Sequence, residues 1–210
     1  MNRRTIATAL TLSVIGAAAA ANPAQAAPSE RAVGARSLVT VLAADGTKFD
    51  HNWDDFDIVE KAALTVLGAK PSSAVGVLAQ GDVRLTAFIP TDRAFRRLVH
   101  DLTGDRLGSE KKVFDAVATL GVDTIETVLL YHVVPGATIK YAQAKDADGA
   151  KLTTAQGGKI KVDVRHGRVF LIDADKNDRN PRVRVAAKNI NKGNKQIAHG
   201  INRVLRPIDL

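Results

Sequence analysis

Carboxylates crowd two short stretches of this 210-residue chain. The first, Asp50-His51-Asn52-Trp53-Asp54-Asp55-Phe56-Asp57, gathers acids around one imidazole. Oxygen-rich loops of this kind can hold calcium. Asp54, Asp55 and Asp57 also precede an apolar run, however, and acids there stabilise a helix N-terminus by about 0.3–1 kcal/mol each. Helix capping is the preferred reading, with calcium as the alternative. The second stretch, Asp173-Ala174-Asp175-Lys176-Asn177-Asp178, has acids or amides at the first, third and fifth positions of an EF-type loop. Its sixth position is Asp178 instead of the Gly that makes the turn, and its twelfth is Arg184 instead of Glu. A polar connection between strands is the better reading there.

The rest of the chemistry is sparse. There is no cysteine, which excludes thiolate nucleophiles, disulfides and Cys-based metal sites. No Gly-x-Ser-x-Gly, His-Glu-x-x-His, phosphate-cradling glycine loop or dinucleotide fingerprint occurs. The five histidines, His51, His100, His132, His166 and His199, lie on separate elements with no ligand spacing. The expectation is a protein without catalytic residues, resident metal or cofactor. A triad assembled only in space stays as a remote alternative. Tyr131-His132 stands among apolar residues, where a histidine is usually hydrogen-bonded inside the fold.

These residues sit on elements that the apolar spacing predicts. Asp57-Ile58-Val59-Glu60 and Asp123-Thr124-Ile125-Glu126 both read as Asp-x-x-Glu caps of helices, the first closing at Gly68. Thr91-Asp92 and Ser109 should cap two more. Val83 to Ile89 alternates and reads as a strand stopped by Pro90. Lys159 to Arg165 alternates throughout, His166-Gly167 turns, and Val169 to Ile172 reads as a strand covered on both faces. Arg182 to Val185 alternates again, and Ile197 to Leu205 is a last apolar segment. Helices first and strands later indicate an α+β fold.

Charge is uneven. Residues 27–150 hold 14 Lys+Arg and 17 Asp+Glu, net −3; residues 151–210 hold 14 and 5, net +9. Alternation puts Lys159, Lys161 and Arg165 on one face of one strand, and Arg182 and Arg184 on one face of another. That face is either a solvated sheet surface or a docking surface for an anionic polymer or protein or for a small ligand. Nucleic acid is not expected, because six Phe, two Tyr and one Trp are few for base stacking.

Residues 1–26 read as a secretory signal: Arg3-Arg4, an uncharged stretch from Ile6 to about Ala21, and the small-x-small Ala24-Gln25-Ala26. Sec export is favoured over the twin-arginine route, since Thr5-Ile6-Ala7 follows the arginines poorly. Residues 27–36 lack periodicity and read as a flexible leader to a domain spanning 37–210. No later stretch could cross a bilayer. The expected location is extracellular, with cell-wall association as an option.

Three segments carry a family resemblance. Thr86-Ala87-Phe88-Ile89-Pro90-Thr91-Asp92-Arg93-Ala94-Phe95 resembles the first signature of the fasciclin domain. Leu130-Tyr131-His132-Val133-Val134-Pro135-Gly136 resembles its Tyr-His segment. Ile197-Ala198-His199-Gly200-Ile201-Asn202-Arg203-Val204-Leu205 is similar to the second signature, with His199 where the family has Asn and the later His missing. The resemblance implies a wedge-shaped sheet of about seven strands packed with several helices. It also implies adhesion or matrix interaction instead of catalysis, and in animal members a receptor-contacting Tyr-His pair. The signature residues are Thr86, Phe88, Pro90, Thr91, Asp92, Ala94, Phe95, Tyr131, His132, Pro135, Gly136, Gly200, Ile201, Val204 and Leu205. The stretch from Phe49 to Val83 looks like the longer approach of secreted single-domain bacterial members.

Overall fold

The strand Lys159–Arg165 runs as its alternation requires. Ile160 and Val162 are fully buried while Lys159, Lys161 and Arg165 reach solvent. The computed structural model describes residues 33–44, 46 and 48–208. The expected signal lies outside them. Within 27–36, residues 33–36 are not free: Gly34 N–H donates to the Gly193 carbonyl (2.9 Å), and Lys195 N–H donates to the Gly34 carbonyl (2.9 Å).

In chain order the elements are α1 (Leu38–Leu42), α2 (Asp57–Ala69), β1 (Leu85–Pro90), α3 (Asp92–Thr103), α4 (Glu110–Ala118) and α5 (Val122–Tyr131). They continue with β2 (Val133–Pro135), α6 (Tyr141–Asp146), β3 (Lys151–Thr153), β4 (Lys159–Arg165), β5 (Arg168–Ile172) and β6 (Gln196–Ile201). Short 3-10 turns occupy Ala74–Ala79 and Val185–Ala187. The class is α+β, as expected. Among the described residues six strands form two three-stranded sheets, β2-β1-β6 and β3-β4-β5, where about seven were expected.

The segment Arg182–Val185, expected as a strand, explains the count. Arg182 bridges Phe170 on β5 and Val183 bridges Ile201 on β6, each as a single rung. The chain then tightens into the 3-10 turn, so this segment stitches the two sheets together without forming a strand of its own. β5 is likewise corrected. Val169 and Leu171 are fully buried, but Phe170 and Ile172 are only partly covered, because their face is the charged one. His166 and Gly167 both take positive φ (50° and 71°), the pairing a two-residue hairpin turn needs to match strand twist.

β1 and β6 are parallel neighbours with all six residues of each buried. Their polar side chains are therefore paired inside. Gln196 donates Nε2 to the Val77 and Gln80 carbonyls (2.8 Å each) and accepts from Leu38 N–H (2.8 Å). Thr86 donates to the Ala137 carbonyl and accepts from Ile139 N–H. Two apolar clusters flank this pair. One gathers α2–α5 around Ile58, Phe95, Val113 and Leu129; the other gathers β4, β5 and α6 around Phe88, Tyr131, Ile160 and Leu171.

Candidate functional site

The N-termini of α2 and α3 face each other. Asp92 Oδ1 accepts from Ile58 N–H (3.0 Å), so the carboxylate that opens α3 caps α2. In return Asp92 N–H and Arg93 N–H donate to the Asp55 and Trp53 carbonyls (3.1 and 2.9 Å). The expected local caps are thereby corrected. Asp57 is the first helical residue of α2, the cap position is Phe56 with no side-chain bond, and the helix runs past Gly68 to Ala69. Thr91 holds the cap position of α3 but its hydroxyl makes no cap bond. In α5 the cap position is Gly121, and Glu126 turns away to Lys70 Nζ and Ser73 Oγ. Ser109 does cap α4, accepting from Lys112 N–H.

This junction buries acids together. Asp55, Asp92 and Glu110 are each buried, and one carboxylate oxygen of each lies within 4.8 Å of the other two. Burial pushes Asp92 up to about 8, reinforced by its hydrogen bond to the Asp55 carboxyl and by the Asp55 and Glu110 charges, against the Ile58 N–H bond. Glu110 accepts from His51 N–H at Oε2 (2.9 Å). Its Oε1 is buried with no hydrogen-bond partner among the described residues.

The second acidic stretch is organised differently. Arg206 Nη1 reaches Asp175 Oδ2 (3.1 Å), Arg206 N–H donates to Asp173 Oδ2 (3.0 Å), and Arg203 Nη1 reaches Asp178 Oδ1 (2.9 Å). Burial pushes Asp173 up to about 6, with Asp175 and Asp178 adding to the rise. Guanidinium groups stand here where an EF loop would have its ion.

Tyr131 and His132 face inward. Tyr131 closes α5, is 1% exposed and donates its hydroxyl to the Lys159 carbonyl (2.9 Å). Its ring is packed so closely that a Cβ on Gly158 would come within 2.8 Å of it. His132, 4% exposed, donates Nδ1–H to the Val128 carbonyl (2.7 Å) and accepts from Leu205 N–H at Nε2 (2.9 Å). The Leu205 donor fixes that tautomer. Burial holds the ring at about 4. His199, in the Asn position of the second signature, is also lowered by burial. It uses Nε2 toward the Ile139 carbonyl and Nδ1 toward Asn189 N–H.

The other signature residues are mostly framework. Phe88, Ala94, Phe95, Ile201, Val204 and Leu205 lie in the two cores. Pro90 ends β1 and Pro135 ends β2. Gly136, at φ 82°, donates its N–H to the Arg84 carbonyl as the chain leaves β2. Gly200 leaves no room for a side chain: a Cβ would sit 2.6 Å from the Ala187 Cβ.

The basic residues form one charged face. Lys161 lies opposite Lys151 across β3–β4, and Arg165 opposite Arg168 across β4–β5. Like charges directly opposite one another destabilise a sheet. Asp163, on the same face, pairs with Arg165. Arg182 comes beside Phe170, and Arg168, Arg182 and Arg184 line a concavity of about 240 Å³. Arg184 is half-buried and holds Asp54 at 2.6 Å, keeping that carboxyl below its usual range. Asp54 also meets Arg93 on α3. There the face continues into residues that sequence reasoning missed. Arg93, Arg96, Arg97 and His100 stand at helical i, i+3, i+4, i+7 spacing and line a second concavity with Arg106. Their spacing was the available signal, overshadowed by the apolar face of the same helix.

Among the described residues no helix is long and apolar enough to cross a membrane. No curated protein matches the sequence. A solved FAS1 domain pair from the insect cell adhesion molecule Fasciclin I is similar in fold, with TM-score 0.53 and 17% identity over 81% of this chain. This chain covers 51% of that one, about half the length of the pair. The family model of the Fasciclin domain matches residues 64–207, taking in all three signature segments, and the chain belongs to the fasciclin domain family.

Proposed function

We propose that this protein is a secreted, non-enzymatic interaction module that binds an anionic polymer of the cell envelope or matrix through its basic face. The observation that carries the reading is the pair of like-charged rungs, Lys151 opposite Lys161 and Arg165 opposite Arg168. Such rungs cost stability and are relieved when a polyanion lies across them. The three-arginine concavity beside them and the arginines of α3 extend the same potential. Adhesion, the role named for the insect relative, fits a surface of this kind. Both buried imidazoles have their two ring nitrogens engaged by main-chain groups, which supports a role without general-base catalysis.

The test compares retention of wild type and Lys161→Glu/Arg165→Glu/Arg168→Glu on immobilised heparin, a sulfated glycan, at low and high salt. Wild type is expected to bind at low salt and elute as screening shortens to about 8 Å near 0.15 M. The variant should lose at least about tenfold in retention. Equal retention of the two folded proteins at low salt overturns the proposal.

A further inference from the structure

We propose that Asp55, Asp92 and Glu110, brought together where α2, α3 and α4 begin, form a calcium site. Three observations carry it. First, one oxygen of each carboxylate lies within 4.8 Å of the others. Calcium binds oxygen at about 2.3–2.6 Å, so two ligands of one ion are at most roughly 5 Å apart. Second, Glu110 is 0% exposed and its buried Oε1 has no hydrogen-bond partner among the described residues. A buried carboxylate oxygen in that state carries a desolvation cost that a cation would offset. Third, no described Lys or Arg forms an ion pair with Asp92 or Glu110. The partners of Asp92 are the Ile58 N–H and another acid, and Glu110 receives the His51 main-chain N–H.

The donor set selects the ion. All three ligands are hard carboxylate oxygens, and neither imidazole nor thiolate joins them. That chemistry favours calcium or magnesium over zinc or copper. Magnesium keeps several waters and demands octahedral geometry, whereas calcium accepts a crowded, irregular carboxylate cage. Asp55 also belongs to a second trio with Asp50 and Asp57, and Asp50 is exposed. The acids thus lead from solvent to the buried site, a path for the ion to enter and shed its water. The bound ion would tie the starts of three helices together.

Terbium serves as the calcium probe, because Trp53, the chain's single tryptophan, lies two residues from Asp55 and can sensitise its emission. Wild type should give tryptophan-excited terbium emission that calcium displaces and magnesium does not. For an affinity of about 0.1 mM, 10 mM calcium should raise the melting temperature by roughly 5–10 °C over protein in EDTA. Glu110→Gln should weaken both responses at least about tenfold. Asp92→Asn, which keeps an oxygen for the Ile58 N–H, should do the same, and Asp178→Asn in the other acidic loop should change neither. A wild-type melting temperature that calcium leaves within about 1 °C overturns the proposal. So does an undiminished response in folded Glu110→Gln.

Discussion

In the loop after β5, Asp173, Asp175 and Asp178 gather around Arg203 and Arg206. At the junction of α2, α3 and α4, Asp55, Asp92 and Glu110 gather around one another. Each includes an acid from one of the two acidic stretches that look alike in sequence, but Asp92 and Glu110 come to the junction from the starts of two other helices. Burial treats them differently because a buried charge must be compensated. The loop draws its compensation from the chain's own C-terminal arginines. At the helix junction Asp92 and Glu110 accept from main-chain N–H groups and, in the proposal above, share an ion from solution. Acid content alone therefore does not locate a cation site. What separates the two is that guanidinium groups fold back onto Asp175 and Asp178, whereas among the described residues none pairs with Asp92 or Glu110.

Breaking the compensated cluster should have the largest effect. The Asp175 side chain is 1% exposed and that of Arg206 7%. Removing one partner of such a pair leaves an uncompensated buried charge, at a cost of about 3–5 kcal/mol. Arg206→Ala is expected to lose that much in urea unfolding at pH 7. A loss below about 1 kcal/mol would mean that water reaches Asp175 and that the pair is in effect a surface one.

His132 extends the comparison to a group that avoids charge altogether. Its ring is held at about 4, against 6.5 for a free imidazole, because burial disfavours the protonated form. The sign follows from the unfolded chain binding the extra proton first. Stability is complete above about pH 6.5 and falls by ~3 kcal/mol as pH drops toward 4. Replacing His132 with Asn removes this titration, so the stability gap between wild type and variant should narrow as pH falls through that window. Parallel pH profiles would show that the imidazole is solvated in the folded state.

How much of this was legible depended on where the partners lie. β4 could be read with its ends because one face is wet, so burial alternates with sequence. In β1 and β6 burial is continuous, and the polar residues they hide find partners far along the chain, as Gln196 does with Val77. The two Asp-x-x-Glu stretches suggested local caps, yet Ile58 is capped by Asp92 and Glu126 binds Lys70. The strand reading of Arg182–Val185 failed because that segment lends one rung to each of two sheets. The charged face was visible in part, through alternation. The acidic trio was not, since its members open or precede three separate helices and meet only in the fold.

The smallest predicted effect concerns sign more than size. In EDTA, Glu110→Gln keeps an acceptor for the His51 N–H and removes one of three crowded acids. It should raise stability by about 1 kcal/mol, a gain unusual for a buried substitution. Asp178→Asn takes a charge away from Arg203 and Arg206 and should lower stability by a similar amount, because there the acid answers a cation. Thermal unfolding of the two variants beside wild type, under identical chelation, gives the comparison directly. Opposite signs mean that losing an acid relieves repulsion at the helix junction and leaves a guanidinium short of its partner in the loop. If both variants are destabilised alike, Glu110 is matched by a donor in solution, and the helix junction needs no ion to account for its acids.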